Sequence, residues 1–370
     1  MKPQLLILTL IVWAVAGVVK PAAGQSSNGK KLTVIAYYGG DAAAIDRYPV
    51  EKLTHIIYSF CYLRNNQLVT GGTDANKAIR KLVSLKKKHP GLKVLLSLGG
   101  WGGCKTCSEA FSTAEGRLVF ARSTKKMIDS FMADGIDLDW EYPAIEGPPG
   151  HRFAPEDRPN FTELVRVLRK ELGDKLEISF AAGGFPKFLE QSIEWTKVMP
   201  LLDRVNIMSY DLVHGYSVAT GHHTPLYSNA TQVESADDAV RYLDSLGIPR
   251  SKIVIGAAFY ARVFSGVDSV NNGLSRPGKF KSSVAYKTFI SDFTPGNGYQ
   301  CYWDSTASAP YCYNAVTKTF ATFDNLRSVR LKTRYAIDRG LNGIMFWELK
   351  LDKNSGGLLD EIYKAKQEGR

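Results

Sequence analysis

DGIDLDWEYP, residues 134–143, is the stretch that decides the fold. Side chains of a β-strand alternate between two faces, so Asp137, Asp139 and Glu141 share one face and the large apolar residues between them share the other. The apolar face predicts contact with a hydrophobic layer. The acidic face predicts a row of three carboxylates inside a closed barrel.

Short apolar or β-branched runs recur on both sides of this stretch, and amphipathic helical patterns separate most of them. Alternating strands and helices predict a parallel sheet, and eight strand-like runs predict an α/β fold of the TIM (β/α)8 barrel type rather than a doubly wound sheet. The predicted strands are 32–37, 55–60, 94–98, 136–140, 178–181, 205–210, 253–259 and 344–347, and the helical patterns are 77–88, 117–132, 160–172 and 237–246.

One connection breaks this alternation. Residues 263–325 are rich in Gly, Ser, Tyr and Phe and have no clear amphipathic helix. We therefore predict a catalytic barrel over 30–262 and 326–366, with a small α+β subdomain inserted at 263–325 between strands seven and eight. An insertion on this side of a barrel forms part of the wall of the active site. Beyond residue 351 we expect one terminal helix and no separate carbohydrate-binding module.

The N-terminus has the three parts of a secretory signal peptide, namely Lys2, an apolar run over 5–19, and the small residues at 22–24. We expect residues 1–24 to be removed and the protein to be secreted, outside the cell or into a periplasm. The apolar run is shorter than the ~20 residues that span a bilayer, which disfavours a stable membrane anchor.

The five cysteines suit a protein that folds outside the reducing cytosol. Two local disulfides and one free thiol are the simplest pairing, with Cys104 and Cys107 stapling a loop and Cys301 and Cys312 forming the second bridge. A CxxC can also serve redox or metal chemistry, but no second CxxC and no nearby histidine completes such a site. Cys61 lies in an apolar strand and is expected to be buried.

The formal net charge of +11 is distributed along the chain rather than concentrated in one block. Nucleic-acid binding requires a basic patch interleaved with aromatic residues, so we expect no nucleic-acid partner. A basic surface would still favour contact with acidic cell-wall material. His222 and His223 have no third ligand at a suitable spacing, so no metal site is predicted.

Three neighbouring buried carboxylates are costly in a purely structural protein, because burial and like charge both raise their pKa values. An acid that must keep its proton near neutral pH benefits from that environment. Glu141 is the last of the row and the nearest to the C-terminal mouth of the barrel, so it is the predicted proton donor. A solvated edge strand or a metal-binding loop would not alternate with large apolar residues.

At this point the sequence resembles glycoside hydrolase family 18, the chitinases and their relatives, over about residues 31–359. Besides DGIDLDWE at 134–141, SLGGW at 97–101 resembles the family's SxGG motif and MSYD at 208–211 resembles its MxYD motif. FYAR at 259–262 resembles the YxR motif, with alanine where the family usually has glycine. MFWE at 345–348 ends the last strand as in the family.

The resemblance implies substrate-assisted hydrolysis with retention, without an enzyme nucleophile and without a cofactor. Glu141 would protonate the glycosidic oxygen while the N-acetyl group of the sugar attacks the anomeric carbon. Asp139 would orient that group, Asp137 would share charge and protons behind it, and Tyr210 would hydrogen-bond the acetamido oxygen.

The resemblance also implies a set of substrate-binding residues. Trp347 would form the floor under the distorted sugar, and Trp101 would stack on a sugar on the leaving-group side. From the residues alone, Trp347 and Tyr210 could instead be core residues, Gly99 and Gly100 could only turn the chain, and Arg262 could form a structural ion pair. The predicted set is Tyr37, Phe60, Gly100, Trp101, Tyr142, Met208, Asp211, Arg262 and Trp347.

The predicted function is therefore that of a monomeric chitinase acting on chitin or chitooligosaccharides. An inactive chitin-binding lectin is one alternative, although Glu141 and its neighbouring acids are all present. The other is an endo-β-N-acetylglucosaminidase acting on N-glycans, which uses the same motif and often lacks the insertion.

Overall fold

The computed structural model describes residues 32–369. The predicted signal peptide, residues 1–24, and the first two residues of the predicted barrel lie outside this range. The strands are β1 (Thr33–Tyr38), β2 (His55–Arg64), β3 (Gln67–Val69), β4 (Lys93–Gly99), β5 (Gly135–Asp139), β6 (Glu177–Gly183), β7 (Arg204–Met208), β8 (Ile253–Ala258), β9 (Tyr260–Ser265), β10 (Lys279–Ala285), β11 (Gln300–Asp304), β12 (Ala309–Asn314), β13 (Thr319–Thr322) and β14 (Gly343–Trp347).

Helices separate most of the barrel strands. They are α1 (Thr73–Ser84), α2 (Cys107–Ser112), α3 (Ala114–Phe131), α4 (Asp157–Leu172), α5 (Pro186–Gln191), α6 (Trp195–Val198), α7 (Ala236–Ser245), α8 (Tyr286–Asp292), α9 (Leu326–Asp338) and α10 (Leu358–Glu368). Short single turns of 3-10 helix join several of them. The four helical patterns expected from the sequence fall within or beside α1, α3, α4 and α7.

Eight parallel strands close into a barrel in the order β1, β14, β8, β7, β6, β5, β4, β2, because β1 pairs with both β14 and β2. β3 is a short antiparallel addition to the end of β2. The predicted TIM (β/α)8 fold is confirmed. Each predicted strand overlaps an observed one, because β-branched runs bounded by turn residues are a strong local signal.

Two apolar layers hold the barrel. The larger layer lies between the strands and the helices. It includes Ile136 and Leu138 of β5 and Trp140, the residue after that strand. A smaller cluster fills the barrel interior and includes Tyr37 and Met345. The chain after residue 134 therefore has one apolar face outward and one acidic face inward, as the alternation predicts.

The connection between β8 and α9 forms a five-stranded antiparallel sheet in the order β10, β9, β13, β12, β11, together with the short helix α8. This sheet begins at Tyr260, three residues before the start at 263 that the sequence predicts. The parallel ladder ends at Ala258, and β9 then pairs antiparallel with β10 and β13. At the other end of the chain, α10 extends to Glu368, two residues beyond the expected limit.

Both expected disulfides are present, Cys104–Cys107 and Cys301–Cys312. The first closes the loop between β4 and α2, and the second joins β11 to β12 across their register. Cys61 is buried and unpaired, and burial raises the pKa of its thiol to about 12. Among residues 32–369, no helix has the length and apolar character of a membrane span.

Candidate active site

The three acids of the 134–143 stretch lie along the inside of the barrel. Asp137 and Asp139 belong to β5, and Glu141 follows two residues after the end of that strand. All three are buried, and Glu141, with 8% of its surface exposed, is the most accessible. The row therefore runs from the barrel interior toward its C-terminal mouth, where barrel enzymes bind their substrates.

Asp137 is held by four side chains from four other strands. Tyr37 and Ser97 donate hydrogen bonds to its Oδ2 at 3.0 and 2.9 Å. Ser179 and Asn206 donate to its Oδ1 at 2.6 and 3.1 Å. Burial raises the pKa of Asp137, and these donors oppose the rise by stabilising the charged form. The innermost acid is thus a fixed acceptor in the centre of the barrel.

Asp139 lies in a very different environment. Its Oδ1 is buried and has no hydrogen-bond partner among the described residues. Burial, Glu141 and Asp137 together raise its pKa well above the usual range. A buried carboxyl oxygen without a donor is unfavourable unless a ligand supplies one. Asp139 is therefore suited to accept a hydrogen bond from a bound substrate.

Glu141 is adapted to hold a proton at neutral pH. Burial raises its pKa to about 8, the negative charge of Asp211 adds to the rise, and the Tyr142 hydroxyl opposes it. A carboxyl group with such a pKa is mostly protonated at pH 7 and can act as a general acid. Its position at the open end of the row leaves it accessible to a glycosidic oxygen.

Tyr210 and Asp211 lie just beyond β7, which ends at Met208 rather than at residue 210. The Tyr210 hydroxyl points into the barrel interior, 3.8 Å from the Met345 Sδ. The Met208 side chain packs against the same interior cluster. Tyr210 is buried in the core, and its hydroxyl is close enough to Asp139 and Glu141 to interact with them electrostatically. A place in the core and a place in the site are therefore compatible for Tyr210.

Arg262 is engaged by Asp211. Its guanidinium binds both carboxylate oxygens of Asp211, with Nε 2.7 Å from Oδ1, and also donates to Ser283 at 2.6 Å. Burial favours the neutral form of Asp211, but His223 and Arg262 hold its pKa well below the usual range. Of the two interpretations of Arg262, the ion pair is the one formed in this structure, and it keeps Asp211 ionised beside Glu141.

Aromatic rings form the floor of the site. The Trp347 indole is stacked on Phe60, with centroids 5.5 Å apart and planes at 15°, and lies 5.9 Å from the Tyr37 ring. Trp347 is partly exposed at the end of β14. An indole held on one face by other rings is a rigid apolar platform of the kind that sugar faces stack on.

A second aromatic group stands at the rim. Trp101 is 53% exposed, and its ring lies 6.3 Å from that of Tyr142 and 6.4 Å from that of Tyr216. Trp101 is in the loop after β4 and Tyr216 in the loop after β7. Tyr216, itself 65% exposed, was not predicted, because an isolated tyrosine in a polar loop carries no local signal.

The sequence profile described as "Glycosyl hydrolases family 18" matches residues 33–352. The chain belongs to glycosyl hydrolase family 18. Chitinase A1 of Niallia circulans is 30% identical over 425 aligned positions, covering 94% of this chain and 60% of that protein. The chain thus spans less than two thirds of that relative.

Two solved structures match about nine tenths of the chain. An N-acetylglucosaminidase from Paenibacillus barengoltzii has 34% identity and a TM-score of 0.83, covering 90% of this chain and 99% of that chain. A Group IV chitinase from Ostrinia furnacalis, solved in complex with allosamidin, has 26% identity and a TM-score of 0.84, covering 91% and 99%. The predicted family is confirmed.

Several features of this family 18 site were missed or differ from expectation. Ser179 and Asn206 were not singled out, although a polar residue between apolar neighbours on a predicted inner face, as in Val205-Asn206-Ile207, is a usable signal. Gly100 is buried, and a Cβ there would lie 2.3 Å from the Phe60 ring, so its place in the site is one of backbone packing.

The adjacent histidines His222 and His223 are both buried. His222 Nε2 lies 3.0 Å from Asp304, and His223 Nδ1 lies 3.6 Å from Asp211. The two rings therefore pair with different carboxylates and do not converge on one point. No group of three or more metal-ligating side chains is found within residues 32–369.

Proposed function

We propose that this protein is a chitinase that hydrolyses β-1,4 bonds between N-acetylglucosamine units with retention of configuration. The observation that carries the proposal is the arrangement within one row of acids: Glu141 lies buried at the mouth, where burial raises its pKa to about 8, and Asp139 beneath it has an unused acceptor oxygen. Membership of glycosyl hydrolase family 18 and the chitinases among its relatives support the same substrate class.

In the first step Glu141 transfers its proton to the glycosidic oxygen, and the bond from that oxygen to the anomeric carbon breaks. The carbonyl oxygen of the substrate's own acetamido group forms a bond to the same carbon, giving a cyclic oxazolinium ion. The ionised Glu141 then takes a proton from water while that water opens the ring. Two displacements on opposite faces restore the original configuration.

The neighbouring side chains supply what this route needs. Asp139 Oδ1 accepts the acetamido N–H, and this hydrogen bond stabilises the positive charge of the ring, while the Tyr210 hydroxyl donates to the acetamido oxygen. Asp137, fixed by its four donors, keeps negative charge behind Asp139. Trp347 supports the sugar whose bond is cut, and Trp101 supports the leaving sugar.

The test is hydrolysis of N-acetylglucosamine tetramer by the purified chain, with product anomers followed by NMR at early times. Initial β-anomer is the expected product. Glu141→Gln removes the acid and should lower kcat by about 10²–10⁴-fold. Glu348→Gln is a matched control, since Glu348 is also buried at a strand end but is held by the Gly39 N–H and Lys350.

Three outcomes would contradict the proposal. Initial α-anomer would exclude retention, and tight binding of the tetramer without cleavage would indicate a lectin. Cleavage of an N-glycan without any cleavage of the tetramer would indicate an endo-β-N-acetylglucosaminidase.

A second candidate is supported by one comparison, the structural likeness to an enzyme described as an N-acetylglucosaminidase. Release of single N-acetylglucosamine units from one end of the tetramer would favour that activity. Dimers or larger fragments as the first products would favour a chitinase. The product sizes are read from the same reaction.

We also infer that the protein is exported. The support is the signal-peptide pattern of residues 1–24 together with two disulfides, which persist in oxidising compartments. Mass spectrometry of the protein recovered from the culture medium tests this inference. A mature N-terminus close to residue 25 is expected, and retention of the intact chain in the cytosol would contradict it.

A further inference from the structure

A charged pair lies deep behind the active site and has no place in the reaction proposed above. Lys332 of α9 and Asp324, which follows β13, are both fully buried. Lys332 Nζ lies 2.7 Å from Asp324 Oδ2 and 2.5 Å from Thr224 Oγ1. Burial lowers the pKa of Lys332, while Asp324 opposes that fall.

Fold stability alone is a weak reason for such a pair. Desolvation of two charges offsets most of their attraction, and apolar residues of similar volume often give equal stability. This pair is also fully hydrogen-bonded on its acidic side. Asp324 accepts from the Ala258 N–H at 3.0 Å and from the Ser328 hydroxyl at 2.6 Å. Its geometry is therefore closely defined.

Thr224 connects the pair to the catalytic loop. Its hydroxyl oxygen accepts from Lys332 and lies 3.1 Å from the Ser209 carbonyl oxygen and 3.2 Å from Asp324 Oδ2. The hydroxyl has one proton, and the shorter of its two acceptor contacts is the one to the Ser209 carbonyl. A neighbouring ammonium polarises the hydroxyl and strengthens that hydrogen bond.

Ser209 is the residue immediately before Tyr210, and it is held from its other side as well. Its hydroxyl donates to the Gly256 carbonyl at 3.0 Å and accepts from the Gly256 N–H at 2.8 Å. A Cβ on Gly256 would lie 2.8 Å from the Tyr210 ring, so that ring packs closely on β8. The backbone that aims Tyr210 is thus fixed by β8 and by Thr224.

We propose that the buried Lys332–Asp324 pair acts through Thr224 as a positioning device for Tyr210. The pair holds the Ser209 carbonyl, and this sets where the Tyr210 hydroxyl meets the acetamido group. The inference rests on the proposed function, because it assigns Tyr210 a role in the reaction. Lys332, Asp324 and Thr224 are positioning residues that do not touch the substrate.

The test uses Thr224→Val, which removes the hydroxyl and keeps the size of the side chain. We expect about a tenfold loss of kcat on the N-acetylglucosamine tetramer, equivalent to one strong hydrogen bond's contribution in the transition state, with little change in KM. Thr224→Ser restores the hydroxyl and should restore kcat.

Thr333→Val is the matched control. Thr333 is a buried threonine one residue from Lys332 on α9, and its hydroxyl bonds to the Val329 carbonyl of the same helix. The Thr333→Val variant therefore loses a buried hydroxyl but keeps the hydrogen bonds from Lys332 through Thr224 to Ser209. We expect a similar fall in thermal stability and an unchanged kcat.

A double-mutant cycle with Tyr210→Phe identifies the route. If Thr224 acts through the Tyr210 hydroxyl, Thr224→Val should add little to the loss already caused by Tyr210→Phe. Additive losses, or equal kcat values for Thr224→Val and Thr333→Val, would overturn the inference while leaving the proposed function intact. Failure of the wild-type chain to cleave the tetramer would instead overturn the proposed function.

Discussion

The pKa of Glu141 is set mainly by the environment of its side chain. A glutamate in water loses its proton near pH 4.5, whereas burial in this barrel raises the pKa of Glu141 to about 8. Burial also raises the pKa of Asp139, whereas at Asp137 four hydrogen-bond donors oppose the rise by stabilising the charged form. Asp211 differs because Arg262 and His223 stabilise its charge. The pKa values of neighbouring carboxyl groups are therefore shifted in opposite directions within one site.

This difference predicts a pH-dependent stability effect of Glu141→Gln. In the wild type the folded state holds the Glu141 proton up to about pH 8, while the unfolded chain releases it near 4.5. The folded wild type is therefore destabilised progressively as pH rises from 4.5 to 8, and a glutamine is not. We expect the melting temperature of Glu141→Gln to exceed that of the wild type by a margin that increases between pH 5 and pH 8 and then levels off. Equal margins at all pH values would contradict the raised pKa.

At the scale of elements, one buried carboxylate joins two loops of the site. Asp157, the first residue of α4, accepts from the Ser108 hydroxyl of α2 at 2.8 Å. It also accepts from the backbone N–H groups of Ala154 and Ala144 at 2.8 and 3.4 Å. Ala144 lies three residues after Glu141, and α2 follows the loop that carries Trp101 and ends in the Cys104–Cys107 disulfide. Asp157 thus links the loop of the acid to the loop of the rim tryptophan.

We expect Asp157→Ala to lower the free energy of unfolding by about 1–3 kcal/mol, because buried donors lose their acceptor. It should also raise KM for the N-acetylglucosamine tetramer, because Trp101 and Glu141 lose their common support. Asp203→Ala is the control, since Asp203 accepts from Arg169 and the Ile178 N–H near the start of β7. A KM increase of the same size in both variants would show that the effect is general destabilisation.

At the scale of the whole molecule, the two ends of the barrel have separate tasks. The C-terminal mouth carries the acids, and the N-terminal end carries an ionic cluster around Glu177. Glu177 contacts His55 at 3.1 Å and Arg204 at 2.7 Å and also pairs with Lys93. These residues lie at the starts of β2, β7 and β4. Burial favours a neutral Glu177, but His55 and Arg204 hold its pKa well below the usual range.

Glu177→Gln should therefore destabilise the fold without changing the chemistry. We expect the free energy of unfolding at pH 7 to fall by about 3–5 kcal/mol, because Arg204 stays buried without its charged partner. The pKa of Glu177 is lower in the folded state than in the unfolded chain, where it is near 4.5. The Glu177 carboxylate therefore stabilises the fold fully above pH 4.5, and this stabilisation is lost as the pH falls below that value. Urea unfolding at pH 7 and pH 3.5 should show the difference between variant and wild type shrinking at the lower pH. Unaltered stability at pH 7 would contradict the cluster's role.

The barrel and the row of acids could be predicted because both depend on local order in the chain. Alternation within residues 134–143 assigns each side chain to a face, and repeated strand and helix patterns define the barrel whatever the details of packing. The same holds for the disulfide Cys104–Cys107, whose partners are three residues apart. The boundary of the insertion was less predictable, since Tyr260 and Ala261 continue the apolar run of β8 after the parallel ladder has ended.

The sequence by itself therefore determined the fold class and the family, and it predicts Glu141 as the proton donor. The tertiary structure alone decided what surrounds those residues. Asn206 meets Asp137 across 69 residues, and Thr224 meets Lys332 across 108. Burial, hydrogen bonding and pairing of charges arise between segments that are distant in the chain, and these set the pKa values and side-chain directions on which the site depends.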